Sequence, residues 1–337
     1  MTNLTRRTVL RTAAASAALP LLSAPALANT KITVGALRFP SHAASFVALD
    51  GGRLAAGGPH GPFQFFEAAQ PMAVAIASGD VDYAVTAISG GLISLADKGA
   101  IKVIGGALVE EDGVDGQKIL ASDAAFQTGL TSPAMLDGKS FGMTQAGSSF
   151  HYMGSKIAQA EGVSMSFKPL QKVPAIIGAL KTGQIDAWSI VPHIAKPLAG
   201  SGAVHIIGNV SDYIPDYMVT TAFTSTENAT NQRDKTRAFL AAFSEGIAQF
   251  NAAMVDKTQG EDGVNAMSDR IHTYVYTDRP LDKAAPPIIN GSMRLSPDAA
   301  LNLASIEDQL TWFQSEGLVK DSITMDTLVD ASYVQTT

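Results

Sequence analysis

The sequence predicts an α/β protein of two similar lobes, on three observations. From Lys31 onward, short β-rich runs alternate with helix-like runs, the pattern of mostly parallel sheets covered by helices. The stretch SGDVDYAVTAISGGLISLADKGAIKVIGG, from Ser78, is echoed by TGQIDAWSIVPHIAKPLAGSGAVHIIGN, from Thr182. Gly79 aligns with Gly183 and Asp82 with Asp186, a constant offset of 104, and one gap later Gly105 aligns with Gly208. Solenoid repeats run about 20–50 residues, so this spacing fits two lobes, and two lobes imply a cleft. Beyond Tyr217 the pattern changes again, to one strand and then long helices, expected to pack back on the first lobe.

The elements follow in order. Residues 1–28 read as an export address: Arg6-Arg7 in a twin-arginine pattern, an apolar run from Ala13 to Leu22, and the small-residue end Ala26-Leu27-Ala28. The apolar run is far shorter than the ~20 residues of a membrane span. Val9 stands where the twin-arginine pattern usually has Phe, which leaves the general secretory route open. Strands are expected at 31–37, 63–66, 81–87 and 101–109, with helices at 41–55 and from Pro71 to 78. A strand at 139–145 leads through GSSFHY (147–152) into a helix at 152–161. Residues 217–223 read as a further strand. The run 231–255 carries a helical stripe of Ala238, Phe239, Ala242, Phe243, Ile247 and Phe250. Pro280, Pro286 and Pro287 mark 277–296 as an extended loop, and Ser296-Pro297-Asp298 as the start of a helix reaching Trp312-Phe313.

Composition removes several functions. With no cysteine there are no disulfides, thiolate nucleophiles, Cys-ligated metals or lipid-modified Cys. Without the leader's three arginines the chain holds 21 basic residues against 31 acidic ones, which disfavours nucleic acid. No stretch after residue 28 reads as a membrane helix. Phosphate-loop and Gly-x-Gly-x-x-Gly motifs are absent, so no cofactor is expected.

Four segments carry a family resemblance: FPSHAASFVALDGG (39–52), AVAIASGDVDYAVTAISGGLISLADKG (73–99), LDGKSFGMTQAGSSFHYMGSKIAQAEG (136–162) and PAIIGALKTGQIDAWSIVPHIAKPLAGSG (174–202). They resemble the periplasmic substrate-binding proteins of nitrate, sulfonate and taurine ABC importers, with their relatives that bind thiamine-pyrimidine precursors. The resemblance implies a type II periplasmic binding fold: two α/β domains joined by two crossover strands, with the ligand between them. It places lobe I at 29–120 and 218–337 and lobe II at 121–217. It implies a non-catalytic, monomeric, periplasmic receptor that delivers a small organic anion, or alternatively a neutral heteroaromatic such as a pyrimidine or flavin, to an inner-membrane permease. Enzymes on the same fold, a cysteine-dependent desulfinase and a pyrimidine synthase with a Cys-rich motif, are disfavoured by the lack of cysteine. Val191-Pro192 stands where the family often has Glu-Pro, so an acidic contact there is not expected.

In parallel sheets, ligands sit beyond the carboxyl ends of the strands. The four ends readable here supply the candidate binding residues: Arg38, Phe39, Ser41 and His42; Thr86 and Ser89; Gln145, Gly147, Ser148, Ser149 and His151; Trp188 and His193. Tyr213 joins Phe39 and Trp188 as an expected aromatic wall. Gly147-Ser148-Ser149 precedes a helix whose first N–H groups have no partner, a seat for an anion as well as an ordinary cap. Arg38 could supply a fixed positive fork or pair with a surface acid. The three histidines fit no metal-ligand spacing and read as hydrogen-bonding groups. Asp82 and Asp186 read as structural, and 110–116 as a solvated turn.

Overall fold

The computed structural model describes residues 31–50, 55–56 and 63–337; the expected leader, and the Gly-rich stretch after Leu54 apart from 55–56, lie outside them. The chain opens with β1 (Lys31–Ile32), β2 (Val34–Ala36), α1 (Ala43–Asp50), β3 (Ala55–Ala56), β4 (Phe63–Phe65), α2 (Ala69–Ser78), β5 (Tyr83–Thr86), α3 (Gly90–Asp97) and β6 (Ile101–Gly106). It continues through β7 (Lys118–Ser122), α4 (Asp123–Gln127), β8 (Ser140–Met143), α5 (Ser149–Glu161), β9 (Ser166–Pro169), α6 (Val173–Lys181), β10 (Ala187–Ile190), α7 (Pro192–Gly200) and β11 (Val204–Asn209). It then returns as β12 (Thr221–Ser225), followed by α8 (Thr226–Asn231), α9 (Arg233–Phe250), α10 (Gly260–His272), α11 (Leu281–Asn290), α12 (Leu303–Ser315) and α13 (Met325–Leu328).

Two five-stranded sheets result, in the orders β4-β2-β5-β12-β6 and β9-β8-β10-β7-β11. In each, the first three strands run parallel and the fourth is antiparallel to both neighbours. That fourth strand is the one entered directly from a crossover: β7 after 107–117, β12 after 210–220. The crossovers meet antiparallel at Val109 and Met218, where Glu110 N–H donates to Tyr217 O (2.9 Å).

The sequence repeat is a structural one. α2 and α6 start 104 residues apart, at Ala69 and Val173, and end beside Gly79 and Gly183, whose φ values of +82° and +69° only glycine adopts freely. Each repeat then fixes a strand to its neighbour through a carboxylate. Asp82 Oδ2 accepts from Thr33 N–H (2.8 Å), and Asp186 Oδ2 accepts from Ser140 N–H and Oγ–H (2.7 Å each). Both aspartates are therefore structural. Asp186→Ala is expected to cost about 1–3 kcal/mol, the range for stranding a part-buried donor. Urea unfolding checks this; a loss of only a few tenths would mean water replaces the carboxylate.

The tail helices complete the first sheet's core. α9 lies so close on α1 that a Cβ on Gly246 would sit 2.2 Å from Ala44 O, and Phe239 stacks on Tyr83 at 4.1 Å. This corrects the expectation of no further membrane-length helix. The helical run Arg233–Val255 reaches a mean hydropathy of 1.2 over 18 residues, and 56% of that window is buried inside the protein, which accounts for its apolarity.

Three other expectations are corrected. Residues 281–290 form α11 and not an extended loop: Pro280 sets the extended N-cap and Pro286 and Pro287 lie within the helix, whose Ala284 and Ile288 are fully buried. Tertiary burial here outweighs the local penalty of proline. The last long helix begins at Leu303, capped by Asn302 Oδ1, whereas Pro297–Ala299 is a single tight turn and Ser296 Oγ–H donates to Ala300 O. Glu110 is no solvated turn residue. It is 3% exposed, accepts from Gln117 N–H, and burial raises its pKa to about 7.

Candidate functional site

The carboxyl ends of β2, β5, β8 and β10 converge between the two sheets on an inner cavity of about 70 Å³. The first sheet contributes Ser41, His42 and Thr86; the crossovers contribute Leu108, Val219 and Thr220; the second sheet contributes Thr144, Ser148, Ser149, Phe150, Ile190 and Val191. Leu37, Phe39, Glu67 and Val173 also line a larger chamber of about 650 Å³ toward the surface.

The α5 start is built to leave donors free. Gly147 turns the chain at φ +73°, Ser148 caps the helix by accepting from His151 N–H, and Gly147 N–H donates to His151 Nδ1 (3.2 Å). The N–H groups of Ser149 and Phe150 then have no partner among the described residues. The helix dipole places partial positive charge at the same point, worth ~0.3–1 kcal/mol to an anion and up to ~2 when partly buried.

His42 adds another donor. It is 1% exposed, and its Nδ1 accepts from Leu37 N–H, so the neutral ring carries its proton on Nε2. Nε2 is buried without a partner, and burial lowers the pKa to about 3, so the ring stays neutral at physiological pH. His193, on α7, is equally buried, faces the larger chamber, and is lowered to about 3 by burial and by His42. Phe39 connects the two, with ring centroids 6.2 Å from His42 and 4.9 Å from His193. His151 is half-buried, between Phe167 and Trp312, and burial lowers its pKa.

Phe39, Ser41, His42, Thr86, Ser148 and Ser149 therefore share one cavity. Arg38 lies at the larger chamber, its guanidinium 3.9 Å over the Phe65 ring and donating to Tyr274 O (2.8 Å). Ser89 caps α3 by accepting from Leu92 N–H, and Gln145 supplies the carbonyl that Ser148 N–H reaches. Trp188 is fully buried behind Phe150, with centroids 5.3 Å apart, and does not line the cavity. Tyr213 is remote from it, its hydroxyl donating to Glu161. Thr144, Phe150 and Val173 line the cavity without having been expected from sequence; Val173 is the repeat partner of Ala69, which also lines it.

Both sheets' elements touch around this space. Gly90 N–H donates to Gly147 O (2.9 Å), Tyr276 Oη–H to His193 O (3.0 Å), and Lys196 Nζ to Asn290 O (2.7 Å); Lys172 Nζ pairs with Glu67 (3.4 Å). The described residues hold no cluster of three potential metal ligands.

The fold matches solved structures. The alkanesulfonate-binding protein SsuA of Xanthomonas axonopodis pv. citri, bound to MOPS, superposes with TM-score 0.67 at 16% identity, over 90% of this chain and 98% of that one. The periplasmic aliphatic sulphonate binding protein SsuA of Escherichia coli gives 0.64 at 17%, over 89% and 92%. The periplasmic nitrate-binding protein NrtA of Synechocystis PCC 6803 gives 0.63 at 12%, over 88% and 84%. No curated protein sequence matches. The model of the NMT1/THI5-like family matches residues 66–253. That match spans more than half of the chain, including both copies of the repeat and every strand end around the cavity except that of β2, and the chain belongs to the NMT1/THI5-like family.

Proposed function

We propose that this chain is the solute-binding receptor of an ABC importer, exported to the periplasm as a monomer, which encloses a small organic anion between its lobes and delivers it to a membrane permease. The observation that carries this reading is the set of donors without a partner among the described residues around one inner cavity: His42 Nε2–H and the Ser149 and Phe150 N–H groups. A sulfonate or carboxylate supplies acceptors for all three, and a buried donor left unmade costs about 1–3 kcal/mol. The structural neighbours named as binding sulfonates and nitrate support the same class. The structural neighbours named above are binding proteins, which supports a non-catalytic role. Division of the site between two lobes suits capture by closure.

A neutral heteroaromatic is the second reading, favoured by one feature: no Lys or Arg lines the inner cavity, which Phe39 and Phe150 flank.

Thermal unfolding of refolded, solute-free protein separates them. A sulfonate at 100 times its Kd should add ~2.7 kcal/mol, and His42→Phe should abolish that shift while the free protein, though less stable for loss of the Leu37 N–H acceptor, still unfolds cooperatively. Stabilisation by pyrimidines alone would transfer the assignment to the second reading. No shift with any anion, amino acid, pyrimidine or flavin would sink the receptor role.

A further inference from the structure

The outer chamber is too large and too basic to be a mere doorway. At about 650 Å³ it falls in the 300–1,000 Å³ range of pockets that enclose whole small molecules, whereas the inner cavity of about 70 Å³ has room for little more than an acidic head group. Aromatic rings wall the chamber: Phe39, Phe65, Phe66 and Tyr276. Tyr276 has a left-handed backbone (φ +56°), an uncommon state for a residue with a bulky side chain, and its hydroxyl bridges to His193 O on the opposite lobe.

The charge at the chamber runs against the rest of the molecule. The chain is net −7, yet the chamber lining holds three cations, Arg38, Lys181 and Arg279, against one acid, Glu67, which pairs with Lys172. None of the three cations has a carboxylate within 4.0 Å among the described residues. Two are instead laid against rings, Arg38 over Phe65 at 3.9 Å and Arg279 over Tyr276 at 4.4 Å, which fixes their position without neutralising them.

We infer that the solute is longer than a head group: an acid whose apolar ring occupies the outer chamber and whose second acidic group, on the far side of that ring, meets Arg279 and Lys181. This rests on the anion reading of the inner cavity and adds the solute's chemical class, a ring-bearing diacid.

Titration calorimetry with methanesulfonate, benzenesulfonate and 4-sulfobenzoate tests it on the full chain and on the double variant Arg279→Gln/Lys181→Gln. Benzenesulfonate should bind more than about tenfold tighter than methanesulfonate, from ring burial. The second acid of 4-sulfobenzoate should add roughly five- to tenfold, a gain that shrinks with added salt. The double variant should lose that gain and keep benzenesulfonate affinity within about twofold. Methanesulfonate binding as tightly as the ring compounds, no gain from the second acid, or an equal loss for both ring compounds in the double variant would each overturn the inference while leaving the anion receptor intact. If no sulfonate binds at all, the anion reading falls and the ring-bearing diacid with it.

Discussion

Gly291→Val is expected to weaken binding of benzenesulfonate on the order of a hundredfold, through the population of the closed arrangement and not through the site itself. Gly291 follows α11, and its φ of −113° suits any residue, so only space is at issue. A Cβ there would lie 2.3 Å from His193 Cα and 2.4 Å from His193 N, at the start of α7 on the other lobe. Backbone cannot yield as a flexible side chain can, so the lobes must part. Lys196 to Asn290 and Tyr276 to His193 would part with them, and the cavity lined from both sides would open. Calorimetry should record the lost affinity, small-angle scattering a larger radius of gyration, and thermal melting a protein still folded. Unchanged affinity at an unchanged radius would show that α11 and α7 adjust locally and do not set closure.

Stability against pH gives the second large effect. His42 and His193 stay neutral in the folded chain, with pKa values lowered by burial to about 3, while the unfolded chain protonates them near 6.5. Below pH 6.5 the unfolded state therefore binds more protons, and the stability that these groups contribute above 6.5 is lost as pH falls toward 3. Glu110 acts with the opposite sign. Its pKa, raised to about 7, makes its contribution complete below about 4.5 and lost as pH rises from there to 7. The contributions oppose each other between pH 7 and 4.5. Below 4.5 the histidines act without that offset, and unfolding free energy should fall by several kcal/mol before pH 3. Urea unfolding across this range should show a shallow limb and then a steep one, and His42→Gln/His193→Gln should flatten the steep limb. A double variant running parallel to the parent would mean that neither ring is held neutral.

The sequence disclosed the architecture better than the walls of the site. The repeat was legible because Gly79 and Gly183 meet a backbone need only glycine fills easily, and Asp82 and Asp186 perform one bonding task at one spacing. Ser41, His42, Thr86, Ser148 and Ser149 were found together because strand ends in such sheets face one side. Trp188 was harder: every residue of β10 is buried, so alternation along the strand does not tell the cavity side from the core side. Tyr276 and Arg279 escaped notice because they reach the chamber from just before α11, whose existence the two internal prolines concealed. Their nearness to Phe39 follows from how distant helices pack, which no local pattern encodes.

The double crossing of the chain also orders its birth. β12 lies between β5 and β6, so the first sheet has a gap beside its edge strand β6 until residues 221–225 have been made, although its other strands are complete by residue 106. The second sheet is contiguous from 118 to 209 and needs nothing that comes later. During synthesis the middle of the polypeptide can fold before its beginning, and the N-terminal strands must wait with an open seam for a partner more than a hundred residues away, the kind of pairing that loop-closure entropy makes slow.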